Sequence, residues 1–213
     1  GFWVLLLGAW VFGCLGACEA AGAPELTDKA AEAIDKGLKY LLTNQRADGS
    51  WASTEAGDRA IAITSLALMS FMSNAEFPGV GPNGAALNKA KDWLLAQAKD
   101  APDGYLGTTM YEHGLAILAL TEMWGMTKDP EDEDAMQKAI EAGVEVIIRS
   151  QSDGGGWRYQ PTPTAGHDTS VTVMVFIALA SARQAGIVVP NESIARVVKY
   201  LKSAAQKTGG FNY

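Results

Sequence analysis

Cysteine is almost absent: the 213 residues contain only Cys14 and Cys18, both in an N-terminal stretch. Nothing downstream can form a disulfide or offer a thiolate to a metal, so stapled folds and Cys-based zinc sites drop out. Histidine is as scarce, with His113 and His167 alone. Basic clusters are missing too. The 17 Lys and Arg are scattered singly along a chain of net charge −7, which argues against a nucleic-acid partner. No segment alternates with the period of a strand, and no Ser/His/Asp triad is evident. Gly154-Gly155-Gly156 follows a helical pattern and lacks both a preceding strand and a Lys, so it is not a phosphate loop.

What is present is apolar surface. Hydrophobic residues make up 48% of the chain, which suits a globular protein with a sizeable core. Residues 1–17 carry no charge and end in small residues, like the core of an export signal. Residues 1–20 are therefore expected to be an export or lipoprotein signal, and residues 21–27 a tether. Leu15-Gly16-Ala17-Cys18 resembles a bacterial lipobox, in which the Cys18 thiol would be lipidated and would anchor the N-terminus to a membrane. The alternative is ordinary cleavage, after Ala20 or Ala23, with both cysteines discarded. Either way the expected location is outside the cytoplasm, periplasmic or at the cell surface. The start at Gly1 and the stop at Phe211-Asn212-Tyr213, inside a repeat, give the expectation that both ends are truncated.

From Thr27 onward two helical patterns alternate. In 28–44 the apolar Ala31, Ile34, Leu38, Leu41 and Leu42 share one face, and Lys29, Glu32, Lys36 and Lys39 take the other. Segments 86–98, 131–150 and 191–206 read the same way. In contrast, 60–72, 114–123 and 171–182 are apolar nearly all round, so other helices must surround them or they must line an apolar cavity. The pattern predicts an all-α fold of seven helices in hairpin succession, amphipathic helices in one layer and apolar helices in another. Thr27-Asp28, Asp129-Pro130-Glu131 and Pro190-Asn191 supply helix starts.

The unit repeats. Leu41, Leu94, Ile147 and Leu201 fall at steps of 53, 53 and 54 residues. Each amphipathic helix is followed by a Gly-aromatic turn: Gly49-Ser50-Trp51, Gly104-Tyr105, Gly155-Gly156-Trp157 and Gly210-Phe211. Gln45, Gln97, Gln151 and Gln206 stand at or near the same helix ends, where a side-chain amide can satisfy free carbonyls and loop N–H groups.

Lys36-Gly37, Tyr40-Leu41, Gln45, Gly49 and Trp51 resemble the QW repeat of squalene and oxidosqualene cyclases. Gly143, Ile147, Gln151, Gly155 and Trp157 match most of it, and the copies at 86–105 and 194–211 are weaker. The resemblance is to the prenyltransferase/squalene-oxidase repeat superfamily, which includes protein prenyltransferase β subunits, and it covers residues 28–213. It implies an α/α toroid with QW helices outside and apolar helices lining a central cavity. Here three and a half hairpins would make an open arc.

The same resemblance singles out Gly166-His167-Asp168-Thr169-Ser170. Squalene-hopene cyclases carry D-x-D-D-T-A at this place, and its central Asp protonates the polyene. Asp168-Thr169-Ser170 matches the end of that motif, but His167 stands where the protonating Asp would be, which makes Asp168 and His167 the catalytic candidates. The competing reading makes Asp168 a helix N-cap. Asp58, Glu112 and His113 also lie at starts of apolar helices and could join them as a polar rim around an apolar pit, with Tyr111, Arg158 and Tyr159 as further ligand contacts. Each of these could equally complement a helix dipole or lie in solvent. No metal site or cofactor is expected: prenyltransferases hold zinc with Asp, Cys and His, and the mature chain has no usable Cys. Glu131-Asp132-Glu133-Asp134 reads as a solvated first turn rather than a magnesium-diphosphate motif. The Gly-Cys-Gly-Glu-Gln thioester motif of complement-like toroids is missing.

Two functions fit. One is an exported binding or scaffold module that offers an apolar concave face to a hydrophobic, isoprenoid-like ligand or a protein partner. The other is an isoprenoid cyclase or prenyltransferase-type enzyme with part of its catalytic set beyond these residues. The missing protonating Asp and zinc ligands, and the export signal, favour the first.

Overall fold

The computed structural model describes residues 26–53, 59–127 and 129–212. Asp58, Cys14, Cys18 and the signal and tether up to residue 25 lie outside them. Among the described residues the fold is all-α, with α1 Asp28–Thr43, α2 Ala60–Ser73, α3 Gly84–Lys99, α4 Met110–Met123, α5 Pro130–Arg149, α6 Thr169–Gln184 and α7 Asn191–Ala204. Contacts divide the chain between Gly37 and Leu38, inside α1. Before that point α1 is largely exposed, opens on a Thr27 Oγ1 that accepts from Ala30 N (3.3 Å), and carries a Glu32–Lys36 ion pair.

Beyond Leu38 the apolar and amphipathic helices form two rows. In the apolar row α4 lies between α2 and α6. In the amphipathic row α3 packs on α2 and touches α5, α5 packs on α4 and α6, and α7 packs on α6. Having neighbours on three sides explains why α4 needs no polar face: Leu115, Ala116, Ile117, Ala119, Leu120 and Met123 are all buried. α4 starts at Met110, earlier than its apolar run suggests. Thr109 caps it by accepting from Glu112 N (3.3 Å), so Tyr111, Glu112 and His113 fall inside its first turns.

The repeated turn is a clasp between successive amphipathic helices. Gln45 Nε2 donates to Gly49 O (2.8 Å) in its own turn and to Ala86 O (2.9 Å) in α3. Gln151 does the same, to Gly155 O (2.9 Å) and to Ser193 O (3.0 Å) in α7. The indole of Trp51 donates back to Leu41 O (2.7 Å) and that of Trp157 to Ile147 O (2.8 Å), which satisfies one of the free carbonyls at each helix end. The backbone N–H of each Trp donates 2.9 Å to a threonine hydroxyl on the apolar helix that follows, Thr64 in α2 and Thr172 in α6. Both indoles are buried.

Glycine is required in this turn for two reasons. Gly49 (φ +94°) and Gly155 (φ +91°) adopt left-handed backbone, and a Cβ at either would collide with the main chain of the next amphipathic helix, at Lys89 and Arg196 respectively. Gly104 (φ +71°) meets Ala142 of α5 in the same way.

Aligning these glycines corrects the register read from the sequence. Leu106, not Tyr105, holds the tryptophan position in the middle repeat: it is buried, and its N–H goes to a side chain on α4, His113 Nδ1 (3.0 Å). Gln97 lies a turn too early to act as the clasp. Near the C-terminus Gly209 (φ +91°) corresponds to Gly49, and Gln206 N donates to Gly210 O as Arg46 N does to Ser50 O. Gln206 is thus one residue past the clasp position, and Phe211 takes the tryptophan place, still exposed.

Replacing Gln151 by Ala should cost about 2–4 kcal/mol in denaturant unfolding, because two buried carbonyls lose their donor. Gln97→Ala should cost within about 0.5 kcal/mol. Equal losses would show that the clasp carries no special weight.

Candidate functional site

Asp168 is the N-cap of α6. Its Oδ1 accepts from Ser170 N (2.9 Å), Ser170 Oγ (2.7 Å) and Val171 N (3.1 Å), while Oδ2 accepts from the Tyr159 hydroxyl (3.3 Å). Its own N–H donates to Trp157 O (2.8 Å), so the cap is fastened to the tryptophan turn. An oxygen already accepting three donors is a poor source of a proton, and the side chain is buried. His167 is half-buried and lies against the glycine triplet, where a Cβ on Gly154 or Gly156 would run into its ring or Cβ. It stacks edge-on against Tyr200 (4.4 Å between centroids, 67°), and Nδ1 is 3.5 Å from Ser152 Oγ. The triplet is therefore a close-packing surface for His167. Tyr200 OH in turn pairs with Thr169 Oγ1 (2.8 Å), which also donates to Asn212 O (2.9 Å).

Glu112 is buried and clamps the loop before α4. Its carboxylate accepts from Thr108 N (2.7 Å) and from Arg59 Nη1 (2.9 Å), drawing the start of α2 to that of α4. Arg59, which the sequence reading passed over, is half-exposed. A Cβ on Gly107 would collide with the Glu112 carboxylate, so the loop closes tightly over it.

His113 is fully buried, and both its nitrogens are committed to main chain: Nδ1 accepts from Leu106 N, and Nε2 donates to Gly143 O in α5 (3.0 Å). Burial pushes its pKa down to about 4; the Gly143 bond pulls the other way, and Arg149 adds to the lowering. No ring atom is left for a ligand. Tyr105 packs beside it at 5.3 Å, its hydroxyl enclosed and pushed up to about 12 by burial, with a contribution from Glu112.

The remaining candidates stay at the surface. Tyr111 is exposed and lines a shallow cleft of about 360 Å3 with Thr169, Ser170, Val173, Met174, Phe211 and Asn212, between the starts of α4 and α6. Tyr159 is exposed, and its carbonyl accepts from Met110 N (2.8 Å), which ties its loop to α4. Arg158 is exposed and lies over Gly166. The structure thus brings Tyr111, Tyr159 and Asp168 to neighbouring helix starts and withdraws Glu112 and His113 into the protein.

Sequence reasoning missed the exposed apolar side chains of the apolar row: Val173 (39%) and Ile177 (42%), one turn apart on α6, with Tyr111 (38%) on α4 across the cleft from Val173, and separately Leu66 on α2 (48%). Ser181 of α6 donates to Glu122 of α4 (2.7 Å), so those two helices meet along this side. A helix apolar on every face gives no sequence signal of which face is open. A second groove, about 810 Å3, lies between α3 and α5; alanines of both helices, Leu95 and Leu106 line it together with charged side chains such as Lys99, Asp132 and Arg149.

Among the described residues no group of three His, Cys, Asp or Glu could hold a metal. In the acidic run, Asp132 pairs with buried Lys91, Glu133 accepts from Gly125 N (2.8 Å), and Asp134 pairs with Lys138. None of the described helices is long and apolar enough to cross a membrane. No protein-family model matches the chain, and no curated protein matches it.

Asp168→Ala should destabilise by about 1–2 kcal/mol and Asp168→Asn by about 1 kcal/mol or less, since Asn also caps well. Chemical denaturation distinguishes this from a buried charged network, for which Asn would cost as much as Ala.

Proposed function

We propose that this chain is an exported binding or scaffold module of the α/α toroid kind, similar to squalene cyclases and prenyltransferase β subunits in fold but not in chemistry. Its N-terminal segment directs it to the periplasm or cell surface, by cleavage or by lipidation at Cys18. The apolar row supplies a concave face, and a hydrophobic ligand or the apolar surface of a protein partner rests on it. The observation that carries this reading is the exposed apolar surface of Tyr111, Val173 and Ile177 at the cleft between the starts of α4 and α6. Apolar side chains grouped in the open are a recurrent mark of binding surfaces.

The enzyme reading, a cyclase or prenyltransferase, is less well supported. Asp168 is occupied as a cap, and His113 is closed to ligands.

The expected result is saturable uptake of N-phenyl-1-naphthylamine by the purified chain, monitored by fluorescence. Val173→Asp/Ile177→Asp should weaken uptake at least about tenfold with little change in thermal midpoint, because both sites are at the surface. Undiminished uptake by the variant would sink the binding face. Incubation with squalene and with prenyl diphosphates should give no product, and a cyclised or transferred product would establish the enzyme reading instead.

A further inference from the structure

We propose that His113 is an acid-sensitive latch, closing the seam between the 104–107 turn and α5 where the middle repeat has no glutamine to do so, and releasing it on protonation. The flanking seams are each closed by groups that do not titrate in the ordinary range, the amides of Gln45 and Gln151 with the hydroxyls of Thr64 and Thr172. In the middle repeat a single imidazole takes over both tasks. Its Nδ1 accepts the N–H of Leu106, as the threonine hydroxyls accept those of Trp51 and Trp157. Its Nε2 donates to a carbonyl of the next amphipathic helix, Gly143, as the glutamines do to Ala86 and Ser193.

Only the neutral ring can do this. A second proton goes onto Nδ1, which then points an N–H at the N–H of Leu106 and leaves a charge with no exposure to water. The surroundings offer that charge no relief. On its own helix, Glu112 is engaged by Thr108 and Arg59; from α2 the charged group is that same Arg59. From α5, Arg149 stands near with its guanidinium on Asp103 O (3.0 Å) and repels a cation. At the start of α6, Asp168 caps its own helix, and the turn before α4 contributes Tyr105, whose hydroxyl stays neutral. Close approach is enforced, because a Cβ on Gly143 would collide with Ile117 and press on the His113 ring. Leu106, held by the latch, lines the groove between α3 and α5, so its release alters that groove directly.

The direction follows from linkage. With the seam open the ring titrates near its ordinary value of about 6.5, and with the seam closed near about 4. Between those values the open form binds a proton that the closed form does not, so opening becomes easier as pH falls through the window and the effect levels off below it. From pH 7 to pH 5 the opening equilibrium rises about twentyfold.

Amide hydrogen exchange on the whole chain at pH 7 and pH 5, corrected for intrinsic rates, reads this directly. The expected result is a loss of about twentyfold in protection at Leu106, against less than about threefold at Trp51 N and Trp157 N. His113→Gln should remove the pH dependence. Equal pH responses at all three amides, or a Leu106 response that survives His113→Gln, would overturn the latch. Should that variant not fold, imidazole NMR of the unaltered chain decides. One of its two histidines should remain the neutral Nε2–H tautomer down to about pH 5. Ordinary titration of both near 6.5 would refute the proposal.

Discussion

The approach of each turn to the backbone of the next amphipathic helix is the constraint on which the rest of this structure depends. Gly49, Gly104 and Gly155 leave no room for a side chain there, and in the flanking repeats a glutamine amide spans the gap with two hydrogen bonds. Where the amide is enclosed, as at Gln151, its bonds are made in a low dielectric, and their loss would strand buried carbonyls. The tryptophan that follows covers the helix end and sends its N–H to the next apolar helix. One turn thus ties together three helices, and the spacing of the rows follows from it.

That arrangement also fixes what the helix starts can do. Fastening the cap Asp168 to Trp157 O, and closing the 107–109 loop over Glu112, uses up the groups that the sequence offers as acids or ligands. What stays open, Arg158 apart, is mainly apolar or aromatic: Tyr111, Tyr159, Val173, Ile177 and Phe211. The polar groups hold the rim in place, and the exposed surface beside it is suited to contact rather than to proton transfer.

The helices and their alternation were legible because amphipathic and wholly apolar segments differ in periodicity, and because Thr27, Asp129 and Pro130 mark starts by known capping chemistry. The roles of Gln45 and Trp51 were legible from their recurrence at Gln151 and Trp157. The middle repeat was not. Its Gly104-Tyr105 pair imitates the turn, yet Leu106 fills the tryptophan position and His113, on the next helix, performs the glutamine's task. No local pattern reveals that a side chain from one helix takes over the task of a position some 13 residues before it (His113 for Asp100, which stands where Gln45 and Gln151 do). Asp168 carried both possibilities in the sequence, and only its three donors on one oxygen show it at work as a cap. The open face of α6 was invisible because that helix is apolar all round.

Side-chain amide exchange measured by NMR tests the clasp most directly. If Gln45 and Gln151 bridge successive helices, their Nε2 protons should exchange far more slowly than those of Gln97 and Gln206, with nuclear Overhauser contacts to Ala86 and Ser193 respectively. Rapid exchange of all the glutamine amides, with no such contacts, would contradict the claim that these two side chains hold the rows together.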